Sequence, residues 1–112
     1  MIVCVPVTPD GRVDLRWGRA DRVAVATATA GRIDEWREFP VGWGRSHDSA
    51  SEGQHHARIA RFLQEQRVDA VLAEHMGPPM EQMLSKMRIR VQLGAGGLAR
   101  EAVLELVSDT QR

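Results

Sequence analysis

The chain contains one cysteine, Cys4, in 112 residues. A lone thiol excludes an intramolecular disulfide, and it cannot build a thiolate cage or hold an iron–sulfur cluster within one chain. Charge of one sign is also lacking: 15 basic residues stand against 15 acidic ones. With no basic stripe there is no footprint for a phosphate backbone, so nucleic acid is not an expected partner. Nor is a membrane. The longest apolar stretches are short, strand-like pieces, far below the ~20 residues that span a bilayer. Met1 leads straight into an apolar run with no charged leader, and the expected location is the cytoplasm. Lysine is nearly absent too; Lys86 is the only one, and nothing physical in the sequence accounts for this arginine bias.

What the chain does concentrate is histidine. His47, His55, His56 and His75 are its only four, and they fall within less than a third of its length. Imidazole is the commonest neutral nitrogen ligand for transition metals, so metal or cofactor binding is the first function to test. The length suits a single domain, residues 1–112, with one buried core.

Residues 2–7, Ile-Val-Cys-Val-Pro-Val, form a near-continuous apolar run of the kind found in a strand covered on both faces, and Pro9-Asp10-Gly11 supplies a turn after it. Residues 22–28 read as a second strand. Ala30-Gly31-Arg32 turns, and residues 33–39 alternate Ile33, Glu35, Arg37 and Phe39 against Asp34, Trp36 and Glu38, which predicts a hairpin. Residues 40–53 lack any period and read as a long loop, which carries His47. A helix opens near Ser51 and follows Ile59, Phe62 and Leu63 to about Gln66, with His55 and His56 in its first turns. Residues 68–73 make a short buried strand that delivers His75 just past its end. Pro78 and Pro79 start a second helix to about Met87, residues 89–93 a last strand, Gly94-Ala95-Gly96-Gly97 a tight turn, and residues 98–107 a closing helix. Three strands followed by α-β-α-β-α predict an α/β fold: a mixed five-stranded sheet with helices packed on it.

In this order the residues resemble the dinitrogenase iron-molybdenum cofactor biosynthesis family. The carriers are Ile2-Val3-Cys4-Val5-Pro6-Val7, Trp17-Gly18-Arg19-Ala20 where the family commonly has Phe-Gly-Arg-Ala, Val68-Asp69-Ala70-Val71-Leu72-Ala73, Met76-Gly77-Pro78, and the run from Ile89 through Gly97. The resemblance spans nearly the whole chain. It implies a ribonuclease H-like fold and a protein that binds or carries metal clusters. Where members often place a histidine before the aromatic-Gly-Arg triplet, this chain has Arg16; some members share a histidine at the position of His56. His75 stands where glycine is commoner, which implies a metal or cluster that relatives do not hold.

In an open sheet, ligands bind outside the carboxyl ends of the strands where the strand order switches. His75 is expected there, with the start of the first long helix beside it and His47 folding over from the loop. Adjacent helical residues point about 100° apart, so His55 and His56 cannot both aim inward equally well. His56, three residues before Ile59, is the expected inward one and, with His75, a primary ligand; His47 and His55 are secondary. The bland alternative is that His47 and His55 are solvated and His75 is a hydrogen-bonded strand-end residue. Three imidazoles without an obligatory thiolate suit zinc, copper, nickel or iron. Cys4, mid-strand, reads as a core thiol rather than a ligand.

Met76, Met80, Met83 and Met87 recur at steps of four, three and four, which fits one helical face packed in the core; Met76, beside His75, is also a candidate soft ligand. Gly94, Gly96 and Gly97 can cradle an anion such as a metal–sulfur cluster, with Arg19 and Arg16 adding positive charge. Ser46-His47-Asp48 tempts toward a hydrolase, but three consecutive loop residues rarely converge on one centre. Two-metal nuclease chemistry needs several carboxylates that the first strand does not supply. Trp17 and Trp43 lie in expected loops, where they can wall a pocket; Trp36 packs on the hairpin.

The expected function is therefore a small cytoplasmic metal- or metallocluster-binding protein, acting as carrier, scaffold or sensor rather than as a catalyst. A cluster donor or acceptor protein would be its partner, and one cysteine per chain leaves room for a site shared in a homodimer. Two rivals remain open: a metal-free small-molecule site or enzyme with a histidine general base, and an interaction module that docks a partner through residues 40–53.

Overall fold

A computed structural model describes residues 1–45 and 51–110, so His47 and the Ser46-His47-Asp48 run lie outside the described residues. Five strands, β1 (Ile2–Pro6), β2 (Val23–Thr29), β3 (Arg32–Phe39), β4 (Ala70–Leu72) and β5 (Arg90–Gln92), form one sheet in the order β3-β2-β1-β4-β5. β1, β2 and β3 pair antiparallel, while β4 and β5 run parallel to β1. The helices are α1 (Glu52–Glu65), α2 (Pro78–Lys86) and α3 (Ala99–Thr110). The expected α/β architecture and element order hold. The two C-terminal strands are shorter than their apolar runs, because Val68, Ile89 and Leu93 pack on the core from the flanking turns rather than from the ladder.

β1 is central, which explains its unbroken apolarity. Cys4 faces one core with Val23, Val25, Val71 and the α1 and α2 residues Ile59, Leu63 and Leu84; Val3 and Val5 face the other, with Ala24, Ala26, Leu72 and the α3 residues Val103 and Leu106. With both faces covered, no position in the strand can be polar without losing burial. Burial also pushes the Cys4 thiol well above the ordinary thiol range, consistent with a core side chain and not a reactive one.

The hairpin turns on two residues, Ala30 (φ 50°) and Gly31 (φ 76°), the pair of positive φ values that lets a two-residue turn follow the twist of its strands. Arg32, expected in the turn, begins β3 opposite Thr29. The simple alternation expected for β3 fails at one point. Thr27 pairs with Glu35 but Ala28 with Ile33, so Asp34 is the extra residue of a bulge. Ile33 consequently packs with Trp36 on the α3 side, while Phe39 packs on the α1 side. Asp34 is held there by hydrogen bonds from Thr29 Oγ1 at 2.6 Å and Arg32 Nε at 2.8 Å. The Thr29 hydrogen bond, followed by Arg32, lowers the Asp34 pKa below the usual carboxylate range. A carboxylate with a depressed folded-state pKa contributes stability that is complete above its unfolded value and fades as pH falls through the folded one. Comparing urea unfolding of the wild type and Asp34→Asn across pH should show a stability gap near neutrality that closes below about pH 4; a gap independent of pH would refute this role.

α1 begins where a capping box closes it: the Gln54 amide donates to Ser51 Oγ and the Ser51 amide to Gln54 Oε1, each at 3.2 Å. α2 takes Pro78 and Pro79 in its first turn, where a missing amide hydrogen costs little. Residues 43–45 are helical where the sequence reads as loop, anchored by Trp43, which is 3% exposed and stacks edge-on against Trp17 with ring centroids 5.1 Å apart. No helix among the described residues is long and apolar enough to cross a membrane.

Candidate functional site

The loops that follow the parallel strands β1 and β4 and the first turns of α1 enclose a cavity of about 320 Å³. The β1 loop supplies Leu15 through Arg19, α1 supplies Glu52, His55 and His56, and the β4 loop supplies His75, Met76 and the start of α2. Three of the four histidines therefore reach one cavity at the carboxyl edge of the sheet.

Their environments differ. His55 is 2% exposed and lies on the stripe His55, Ile59, Leu63, the face that α1 buries against the sheet. His56 is half-buried on the flank, its Nε2 3.8 Å from a carboxylate oxygen of Glu52. This reverses the expected order, in which His56 pointed inward. The buried stripe steps by four residues, 55 to 59 to 63, and the one-residue offset turns the neighbouring imidazole aside. The ring centroids of His55 and His56 are 6.1 Å apart. His75 is exposed on the opposite rim, and Met76 beneath it is buried. Among the described residues no group of three His, Cys, Asp or Glu side chains gathers closely enough to hold a metal ion.

The β1 loop is braced from both ends. Asp14 accepts from the Arg16 amide at 2.9 Å and from its guanidinium at 3.4 Å; that hydrogen bond and the charge attraction raise the Arg16 pKa further above its ordinary value. Gly18 lies so close to α1 that a Cβ added there would sit 3.6 Å from His55 Nε2. Trp17, buried to 3% exposure, both lines the cavity and belongs to the core, and its Nε1 has no hydrogen-bond partner among the described residues.

Arg19 lines this cavity, but the glycine turn does not. Gly94 and Gly96 line a separate cavity of about 200 Å³ on the α3 side, with Leu72, Glu105 and Leu106. Gly97 instead ties the turn to the β1 loop, its carbonyl accepting from the Val13 amide at 2.8 Å. Trp36 packs on the hairpin beneath Arg100, whose guanidinium carbon is 4.5 Å from the ring centroid. The methionine ladder divides: Met83 and Met87 pack half-buried on the core, whereas Met80, expected only in the core, also lines the histidine cavity.

The model of the dinitrogenase iron-molybdenum cofactor family matches residues 1–109. The chain belongs to that family. Several solved structures share the family member's fold. The crystal structure of PH0822 superposes with a TM-score of 0.77 at 15% identity, covering 97% of this chain and 92% of that one. The apo form of the orange protein from Desulfovibrio gigas gives 0.75 at 23% identity, covering 96% and 88%. The protein TM1290 from Thermotoga, named as a candidate NifB protein, gives 0.65 at 21% identity, covering 96% and 87%. No curated protein matches the sequence significantly.

Proposed function

We propose that this protein is a cytoplasmic carrier or scaffold for a transition metal or metal–sulfur cluster, its cargo held in the histidine cavity. The strand order 3-2-1-4-5, with the last two strands parallel to the first, supports a ribonuclease H-like reading of the fold. The observation that carries the function is the convergence of His55, His56 and His75 on one cavity at the carboxyl edge of β1 and β4. Membership of the dinitrogenase iron-molybdenum cofactor family supports the choice of cargo, as does the likeness to a protein described in an apo form.

The side chains that line the cavity support such a cargo. Imidazole and thioether donors suit soft and borderline metals. Arg19 and Arg16 on the β1 loop, with the amino-terminal ends of α1 and α2, put positive charge beside the cavity for an anionic cargo, set against the Glu52 carboxylate on the same rim and the Asp14 carboxylate that pairs with Arg16. His55 and His75 would hold the metal and His56 would be an outer contact. The exposed rim at His75 would let a donor or acceptor protein reach the cargo.

A metal-free small-molecule site with a histidine as general base draws on the lack of a three-donor group among the described residues. Elemental analysis and the visible spectrum of untagged protein separate the two readings. We expect bound metal in the wild type, reduced at least tenfold in His55→Ala and in His75→Ala and less in His56→Ala. Protein that takes up no metal, or retention indifferent to all three substitutions, would remove the carrier reading.

A further inference from the structure

The sheet has two edges, and they are built differently. β3 carries the bulge at Asp34 and the exposed charges of Glu35, Arg37 and Glu38, devices that keep an edge strand from accepting another. β5, at the other end, holds a regular register with β4 and contains neither a bulge nor a proline. Arg90 and Gln92 turn their backbone groups toward β4: the Arg90 amide donates to the Asp69 carbonyl at 3.0 Å, and the Gln92 carbonyl accepts from the Ala73 amide at 3.1 Å. Successive residues of a strand aim these groups to opposite sides, so the amide and carbonyl of Val91 point out of the sheet edge. Beside them α2 and β5 border a groove of about 490 Å³, lined by Glu81, Ser85, Arg88 and Val91 among others.

We propose that a second copy of this chain docks on this edge, the two β5 strands running antiparallel about a two-fold axis at Val91, so that two five-stranded sheets become one. The sequence is self-complementary in that register. Val91 meets its counterpart and exchanges both backbone hydrogen bonds with it. Ile89 meets Leu93, and since Ile89, Val91 and Leu93 all pack on the α1 and α2 side, apolar side chains face apolar ones. Arg90 meets Gln92, so no like charges stand directly opposite; an axis one residue earlier would set Arg90 against Arg90. Charge favours the same arrangement. α2 joins two parallel strands and runs back against them, which puts Glu81 toward the carboxyl edge of the sheet and Arg88 at the amino edge. The two-fold axis exchanges these edges and carries Glu81 of each copy toward Arg88 of the other. Among the described residues neither has an ion-pair partner in its own chain. The groove and the histidine cavity share no lining residue, so the dimer is independent of the cavity's cargo.

A three-residue strand gives a small interface, and small interfaces assemble weakly. Sedimentation of the full-length protein between about 1 µM and 1 mM should therefore show a reversible monomer–dimer equilibrium. Val91→Pro deletes an amide that β4 does not use, at an edge position where proline is tolerated, and should raise the dimer Kd about tenfold or more. Glu81→Arg and Arg88→Glu should each weaken the dimer by a similar factor, and the double variant should restore it, a rescue that damage to the fold cannot imitate. Thermal unfolding of each variant checks that it is folded. Amide hydrogen exchange at Val91, followed by NMR, should slow as the protein concentration rises. A wild type that stays monomeric to about 1 mM would overturn the proposal. So would a dimer that folded Val91→Pro leaves intact, or one that the single charge reversals weaken and the double variant fails to restore.

Discussion

Trp17→Ala should destabilise the protein by about 3–5 kcal/mol, the range for deleting a large buried aromatic. A domain of this size has a total stability of about 5–15 kcal/mol, so much of the folded population depends on one ring. Trp17 is in the loop after β1, yet it is 3% exposed and packs in the same core as Cys4, Val23 and Leu63. It also stacks edge-on against Trp43, which in turn stacks on Phe62 of α1 with centroids 5.8 Å apart. Removing it would leave a cavity bounded by Trp43 and the β1 loop, and the loop could not close over it without moving Gly18 and Arg19. Trp17→Phe keeps most of the ring contact and deletes an Nε1 donor with no hydrogen-bond partner among the described residues. It should therefore cost far less than the alanine variant. Urea unfolding of the three proteins, followed by far-ultraviolet circular dichroism, measures both differences. An alanine variant within 1 kcal/mol of the wild type would show that the loop is not structurally fastened.

That fastening was only partly legible in the sequence. The central strand could be read from Ile2 to Val7 because a strand buried on both faces leaves a continuous apolar run, and the start of α1 from Ser51 because a capping box is local chemistry. The cavity at the carboxyl edge followed from strand order, a topological inference that needs no side-chain geometry. What failed needed an angle or a distant contact. His56 looked inward by its three-residue step to Ile59, but the buried face of α1 runs through His55 by steps of four, and a sequence offers no fixed point for choosing between them. Ile33 and Phe39 shared a face by alternation until the bulge at Asp34 shifted one of them across the sheet. The glycine turn and Arg19 looked like parts of one anion site, since both follow strands. Yet Gly94 and Gly96 open toward α3 while Arg19 opens toward α1, on opposite faces of the sheet.

The split between the two faces also bears on how the protein could work. The α3 face is lined by small β2 residues, Ala24, Ala26 and Ala28, which let that helix sit close to the sheet. Its loop, through Gly97 and Val13, braces the base of the β1 loop from behind. The α1 and α2 face carries the large side chains and the cavity. A scaffold on one face and a binding cleft on the other would hold the first turns of α1 and the β1 loop in fixed relation, which is what a preorganised site requires.

Gly18 gives the sharpest way to occupy that cleft without replacing a proposed ligand. A Cβ built on it meets only His55 Nε2 within contact range, at 3.6 Å, and the residue lines the cavity. Gly18→Ala should therefore be accepted, with stability within about 1 kcal/mol of the wild type. In Gly18→Leu three further carbons must go somewhere, and the open space beside His55 is the cavity itself. The variant should fold, because no backbone atom lies within 4 Å of the added Cβ, but the space between His55 and the opposite rim would be filled with apolar carbon. Metal retention in Gly18→Leu should fall at least tenfold, equivalent to about 1.4 kcal/mol of binding free energy, while Gly18→Ala retains its metal. Metal analysis and thermal unfolding on the same samples distinguish occlusion from unfolding. A folded Gly18→Leu protein that carries as much metal as the wild type would mean that the cargo, wherever it binds, is not held in this cavity.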